Sequence, residues 1–406
     1  MNPGLSQLQA YPFERLRRLL DGAEPPADRA PIRLSIGEPK HAPPAVALES
    51  LAAHLPELAR YPATRGTDAL RAAIADWLAR RFGVHRDHLD PATRILPVNG
   101  TREALFAVVQ ALFPGDGLVA MPNPFYQIYE GATLLADGRP LLLPCRPERG
   151  FRPSPDDIPE ALRDAVQLVF LCSPGNPTGA VTPLAELTRW IELADRHDWI
   201  LCADECYSEI YPDEDSPPPG LLEACARLGR DDLHRCLAFH SLSKRSNLPG
   251  LRSGFVAGDP QLIEAFFQYR TYHGCAQSLP VQAAATAAWQ DEEHVIANRA
   301  AYRAKFAAVR EALAGCLELA PAEASFYLWA ATPGPDDAFC RALFEAEHVT
   351  VLPGRFLSRR VDGQDPGAGR IRMALVAPLD ECVEAARRIR RFVQSRSDSA
   401  AGSATA

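Results

Sequence analysis

From Arg94 to Gly274 the chain alternates short apolar runs with amphipathic stretches, the pattern of parallel strands joined by crossover helices. Seven runs read as strands: Arg94–Val98, Leu118–Met121, Leu141–Pro144, Leu168–Cys172, Ile200–Ala203, Cys236–Phe239 and Phe255–Ala257. Between two of them, Leu184, Leu187, Ile191 and Ala194 fall on one helical face, opened by Thr182-Pro183 as cap and first-turn proline. The expected architecture is α/β, a mostly parallel seven-stranded sheet between helices. A smaller α+β unit follows: one long helical stretch over Val281–Leu313, then Ser325–Ala330, a helix from about Asp336, a Pro353-Gly354 turn, Arg370–Val376 and a final helix. The proline-rich first forty residues lack a strong period and read as an arm that packs on something else. This divides the chain into an arm with part of the small domain (1–44), a large domain (45–280), a connecting helix with the small domain (281–395) and a polar, disordered tail (396–406).

Of the chain's 406 residues, the charged ones sum to a formal net charge of -8, which lacks the basic footprint of a nucleic-acid partner. The ten cysteines include no CxxC pair, no metal is implied, and Met1 to Leu20 carries Glu14, Arg15, Arg17 and Arg18 where a signal peptide is apolar. No apolar run approaches the roughly 18 residues of a membrane span. These features predict a soluble protein with free thiols in a reducing cytoplasm.

The densest chemistry is Ala238-Phe239-His240-Ser241-Leu242-Ser243-Lys244, followed by Gly250-Leu251-Arg252-Ser253-Gly254. A lysine just past a strand is held at the carboxyl end of the sheet, where open α/β folds place ligands. Ser241, Ser243 and the forked guanidinium of Arg252 suit a phosphate, leaving Lys244 free for imine chemistry. A surface lysine and a rim salt bridge would read the same way in isolation. Two more polar groups follow strands: Ser173-Pro174-Gly175-Asn176-Pro177-Thr178-Gly179 and Ala203-Asp204-Glu205-Cys206-Tyr207. Alone, the first is a turn, and Asp204 is equally a helix cap or a solvated strand end, with Glu205 beside it as plain surface.

Taken in order, Asn-Pro-x-Gly, Asp-x-x-Tyr, Ser-x-Ser-Lys and an arginine eight residues on resemble the fold type I, class I/II aminotransferases, over nearly the whole chain. The resemblance implies the aspartate aminotransferase-like fold of pyridoxal-phosphate-dependent transferases. It implies that Lys244 holds pyridoxal 5'-phosphate as a Schiff base, Asp204 pairs with the protonated ring nitrogen, and Tyr207 and Asn176 bond the ring oxygen. Arg252, Ser241 and Ser243 would line the phosphate site. In Val98-Asn99-Gly100-Thr101-Arg102, Gly100, Thr101 and Arg102 would offer backbone N–H groups and a hydroxyl to that phosphate, although the segment alone is an ordinary helix start. Tyr126 matches the aromatic that stacks on the ring, where an isolated Tyr reads as core. Tyr61 matches the tyrosine that reaches the neighbouring subunit's cofactor, implying a homodimer with shared sites. Arg372 matches the arginine that clamps the substrate α-carboxylate, with the backbone of Gly37 closing the other side, and Arg370 is expected at the surface.

Within the family, Ser241–Asp259, Tyr61–Leu70 and Arg372–Pro378 most resemble bacterial succinyldiaminopimelate aminotransferases of lysine biosynthesis. That implies transfer between N-succinyl-LL-2,6-diaminopimelate and 2-oxoglutarate, with Lys40 or Arg65 as a contact for the distal carboxylate or, equally, as a solvated charge. An aspartate, alanine or aromatic aminotransferase or a carbon–sulfur lyase on the same scaffold is the alternative. A pyridoxal-dependent transcription regulator would need a basic helix-turn-helix module, and an idle scaffold is at odds with intact Lys244, Asp204, Tyr207, Arg252 and Arg372.

Overall fold

A computed structural model describes residues 1–274 and 276–404, with side chains to Arg396. Seven strands form one sheet in the order Ile95–Val98, Gly254–Gly258, Cys236–Ser241, Ile200–Asp204, Val166–Cys172, Leu118–Asn123, Arg139–Pro144. Gly254–Gly258 runs antiparallel to both neighbours, and the other pairings are parallel. All seven expected strands are present, most lengthened by a residue or two.

The sheet is apolar because both faces are covered. Alternate residues of each strand enter opposite cores. Val169, Leu171, Leu201 and Ala203 pack with Trp77, Trp190 and Trp289 of helices Asp68–Phe82, Leu184–His197 and Leu279–Gln290. Leu168, Phe170, Ile200 and Cys202 pack with Leu105, Val109, Tyr129 and Phe266 of helices Thr101–Leu112, Ile128–Leu135 and Pro260–His273.

The second layer is a three-stranded antiparallel sheet, Leu352–Pro353, Arg370–Ala374, Tyr327–Ala331, packed on helices Glu293–Leu313, Asp336–Glu347 and Leu379–Ala404. The N-terminal segment is stitched to it: Ile32–Arg33 pairs in parallel with Val349–Thr350, and Leu16 of helix Pro12–Leu19 joins Trp329 and Phe356 in a small core.

Four sequence readings need correction. Val281–Leu313 is not continuous helix but two helices, Leu279–Gln290 and Glu293–Leu313. The break occurs because the Asp291 carboxylate accepts from His294 N (3.2 Å) while the Asp291 carbonyl accepts from Arg245 (3.2 Å). Pro183 is the cap rather than the first helical residue, since Thr182 N is taken by Ser173 Oγ at 2.9 Å. Arg370 is not a surface residue: its guanidinium lies 4.6 Å above the Phe151 ring, beside Glu318. The expected tail from 396 is helical backbone as far as Ala404, and residues 405 and 406 lie outside the described residues. No helix among the described residues is long and apolar enough to cross a membrane.

Phe170 is fully buried at mid-sheet and stacks on Tyr129 with centroids 4.4 Å apart. Phe170→Ala is expected to cost about 3–5 kcal/mol, read as a lower denaturant midpoint at unchanged slope.

Candidate active site

Parallel strands share one carboxyl edge, and the loops leaving it collect the polar residues. Asp204 ends one central strand, Ser241 ends its neighbour, and Asn176 and Thr101 follow others. Arg252 lies just before the antiparallel strand, which starts at the same edge because Gly254 pairs with both Val98 and Ser241. The cavity there is about 410 Å³ and is lined by Thr101, Arg102, Tyr126, Asn176, Asp204, Tyr207, Ser241, Ser243, Lys244 and Arg252, with Gly37 and Arg372 from the arm and the small sheet. Of the residues expected at the site, Gly100 lies behind the lining and Tyr61 outside the cavity.

Lys244 rides on a one-turn helix, Leu242–Arg245, that leaves the strand directly and is capped by Ser241 Oγ accepting from Ser243 N at 3.1 Å. Its Nζ donates to the Gly37 carbonyl at 2.5 Å. Burial, with the charges of Arg372 and Arg252 nearby, lowers its pKa to about 8. Lys244 is therefore a lysine whose neutral, nucleophilic form is reached near physiological pH.

Asp204 is buried, and burial raises its pKa against the hydrogen bonds from Cys206 and Tyr129 that pull it the other way. Its Oδ2 accepts from Tyr129 Oη at 2.6 Å and its Oδ1 from Cys206 N at 3.3 Å. Glu205, expected at the surface, points to the opposite face and is buried as well, 3.1 Å from His240 Nε2 and accepting from Leu221 N at 2.6 Å. The alternation along the strand sends one acid to the cavity and the other into the core.

Arg372 donates to Asn176 Oδ1 and to the Ser35 carbonyl, both at 2.8 Å, and lies 4.4 Å above the Tyr327 ring. Tyr207 Oη and Tyr327 Oη are 3.1 Å apart. Two glycines permit this crowding: a Cβ on Gly37 would overlap Tyr327 Oη, and one on Gly100, at φ 87°, would overlap the Arg252 guanidinium. Arg252 donates to the Pro249 carbonyl at 2.8 Å and forms no ion pair among the described residues. With three hydroxyls around it, Arg252 fits a phosphate. The buried acid of Asp204 fits the ring nitrogen of a cationic heteroaromatic, so these donors match pyridoxal phosphate.

Several residues of the site escaped sequence reasoning. Tyr327, which lines the cavity, sits in a strand read only as sheet, and Tyr129, buried behind the lining where it bonds the Asp204 carboxylate, has the helical spacing of a core aromatic. Tyr11, Pro12 and Phe13 close the cavity from the arm. Conversely, Lys40 lies beside Glu381 (4.0 Å), and Arg65 pairs with Glu264 (2.6 Å) over the Phe267 ring; neither lines the cavity.

The sequence model of the family described as "Aminotransferase class I and II" matches residues 29–389. An LL-diaminopimelate aminotransferase of Natranaerobius thermophilus is 31% identical over 95% of this chain and 97% of its own. Among solved structures, an aminotransferase from Neisseria meningitidis superposes with a TM-score of 0.91 at 47% identity, over 96% of this chain and 99% of that one. A probable N-succinyldiaminopimelate aminotransferase from Thermus thermophilus gives 0.83 at 29% identity, covering 94% and 99%. The chain is a member of the class I and II aminotransferases, enzymes that depend on pyridoxal phosphate.

Proposed function

We propose that this enzyme moves the amino group of N-succinyl-LL-2,6-diaminopimelate to 2-oxoglutarate, in the cytoplasm, as a homodimer with shared sites. Bound pyridoxal phosphate supplies one piece of chemistry: an electron sink for the pair left when the substrate Cα–H bond breaks. The side chains do the rest. Arg252, Ser241, Ser243, Thr101 and the backbone of Gly100 and Arg102 hold the phosphate, with Tyr61 of a second copy. Asp204 holds the ring nitrogen protonated, and Tyr129 fixes the carboxylate that does so. Tyr126 covers the ring face, and Tyr207 and Asn176 bond the ring oxygen. Arg372 and the Gly37 backbone orient the α-carboxylate so that the Cα–H bond stands perpendicular to the ring. Lys244 would be the attachment point and, as a free amine, the base that takes the Cα proton and delivers it to the former aldehyde carbon.

Asp204 is the only acid among the described residues that line the cavity, and it is committed to the ring. Arg102 is an exposed lining guanidinium 5.4 Å from the Tyr11 ring centroid, with no ion pair among the described residues. A donor ending in a carboxylate has a partner in Arg102, whereas the described residues that line the cavity offer no second carboxylate to a donor ending in a second ammonium group. The similarity to LL-diaminopimelate aminotransferases supports a second reading, in which the unsuccinylated diamine is the donor. The nine described cysteines are free, which supports a reducing compartment. Tyr61 at 103% and Tyr272 at 89% relative exposure, with exposed Leu55 and Leu58, support pairing with a second copy.

Stopped-flow spectra of the purified, coenzyme-loaded enzyme test the donor. Succinylated diaminopimelate is expected to react with kcat/KM about 100-fold above LL-diaminopimelate, and the reverse order installs the second reading. Arg102→Gln is expected to raise KM for the succinylated donor by about 10- to 100-fold and to leave alanine unaffected. In the cofactor-free protein, Lys244 has a pKa of about 8 against an ordinary 10.5. Between these values the unfolded chain keeps a proton that the folded chain has lost, so this residue makes folding more favourable as pH rises through that window. Lys244→Met should remove that rise in urea titrations. Tyr61→Phe should weaken coenzyme affinity about 10-fold while light scattering still reports a dimer; a monomeric wild type would sink the shared-site proposal.

A further inference from the structure

We propose that His41, as a neutral imidazole, is a positioning residue that ties the turn carrying Lys244 to the segments holding Arg372. This rests on the roles proposed above for those two residues. His41 follows Ser35 and Gly37, whose carbonyls accept from Arg372 and Lys244. Its Nδ1 lies 2.7 Å from Asn298 Oδ1 and its Nε2 lies 2.6 Å from Lys305 Nζ. Asn298 Nδ2 reaches the carbonyls of Lys244 and Arg245, each at 3.4 Å, and its Oδ1 also accepts from Asn247 at 3.1 Å. Lys305 Nζ donates to the Val376 carbonyl at 3.3 Å, just past the strand Arg370–Ala374. One hydrogen-bonded circuit therefore passes through the Lys244 turn, the arm segment and the end of the Arg372 strand.

The donors and acceptors fit in only one sense. An ammonium has donors alone, so His41 Nε2 must accept from Lys305 and the imidazole must carry its proton on Nδ1. That proton is donated to Asn298 Oδ1, which turns the Asn298 amide nitrogen toward the two carbonyls. A second proton on His41 would set N–H against N–H across the Lys305 contact and open the circuit. The groups facing His41 are Lys305, Asn298 and the Tyr302 ring (centroids 4.7 Å apart) from helix Glu293–Leu313, with Lys40 next to it on its own segment; the Lys305 charge opposes a second proton on His41, while the Asn298 hydrogen bond favours it. Glu381 and Cys382 of the final helix act on Lys305, with Glu381 also near Lys40. Burial, reinforced by the Lys305 charge, holds His41 below its ordinary pKa, and burial lowers Lys305 too.

The circuit distributes one constraint over both halves of the chemistry. With it closed, the carboxylate clamp and the Lys244 amine keep a fixed separation; with it open, each moves with its own layer. Acid conditions that protonate His41, at a pH below that at which free Lys244 takes up its proton, should therefore weaken substrate binding as a separate step.

Nitrogen-15 NMR of histidine-labelled, coenzyme-loaded enzyme, with His41 assigned from its disappearance in His41→Phe, reads the tautomer directly. The expected result is a neutral Nδ1–H imidazole titrating below about 6.5. An Nε2–H tautomer, a cation at pH 7 or an ordinary titration overturns the proposal, even if the variant folds poorly. Kinetically, His41→Phe keeps a ring against Tyr302 and is expected to raise the donor KM about 10-fold and to flatten the acid limb of kcat/KM. His41→Gln, which restores a donor and an acceptor, should recover part of the loss. A wild-type KM with an unchanged acid limb in His41→Phe leaves only a packing role and rejects the proposal. Borohydride tagging of Lys244 in the same variant keeps this outcome distinct from a wrong assignment of the lysine.

Discussion

Burying both faces of the large sheet is the constraint from which the site follows. Once two layers of helices cover seven strands, a polar side chain within a strand has nowhere to go, and charge is confined to strand ends and the loops beyond them. The parallel strands then bring all such ends to a single edge. Asp204, Ser241, Asn176 and Thr101 come from strand ends and the segments just beyond them, far apart in sequence, and they converge because register leaves them no alternative. A site assembled in this way inherits the rigidity of the sheet, which suits a reaction whose rate depends on the angle of one C–H bond.

The same confinement makes the fold legible in the sequence. Continuous apolar runs bounded by turn residues can be located without any tertiary information, and the seven strand positions follow from them. Boundaries were less accessible. The Asp291–Glu292 break depends on Arg245 reaching across from another layer, and no local pattern between Val281 and Leu313 announces it. The site residues separate along a similar line. Lys244, Asp204, Asn176 and Arg252 stand beside turn-forming neighbours immediately after apolar runs, so type and place both speak. Tyr129 gives no such sign, because its hydroxyl matters only through the Asp204 carboxylate on a strand 75 positions away. Lys40 and Arg65 carry charges as conspicuous as that of Arg102, yet both have found acidic partners outside the cavity. Which cation stays available is decided by its neighbours in space.

Electrostatics explains why such a cavity holds together before any ligand arrives. Lys244 and Asp204 each lie in surroundings that penalise their charged form, so burial pulls the lysine down and pushes the acid up. Two groups left closer to neutrality cost less to bury than two ions. In the roles proposed here that penalty would reverse with the cofactor in place: a cationic ring nitrogen would give the Asp204 carboxylate the partner that favours its ionised form, and Lys244 would hold the aldehyde carbon without carrying a buried charge. The strain is thus matched to its ligand, which is the expected behaviour of a pre-organised polar site.

The remaining question is how two layers with separate cores share one substrate. Arg372 belongs to the small sheet, yet its guanidinium donates to Asn176 of the large unit and to Ser35 of the arm. Lys244 belongs to the large unit and donates to Gly37 of the same arm. The short segment from Ser35 to His41 is therefore the common reference for both groups: it meets them through the Ser35 and Gly37 carbonyls and is anchored at its far end by His41. In the roles proposed here, a substrate carboxylate would compete for Arg372 with Asn176 and Ser35, and Lys244 would leave the Gly37 carbonyl to take the substrate proton. Both exchanges begin on the same few residues of arm, so a displacement of that segment reaches the clamp and the base together.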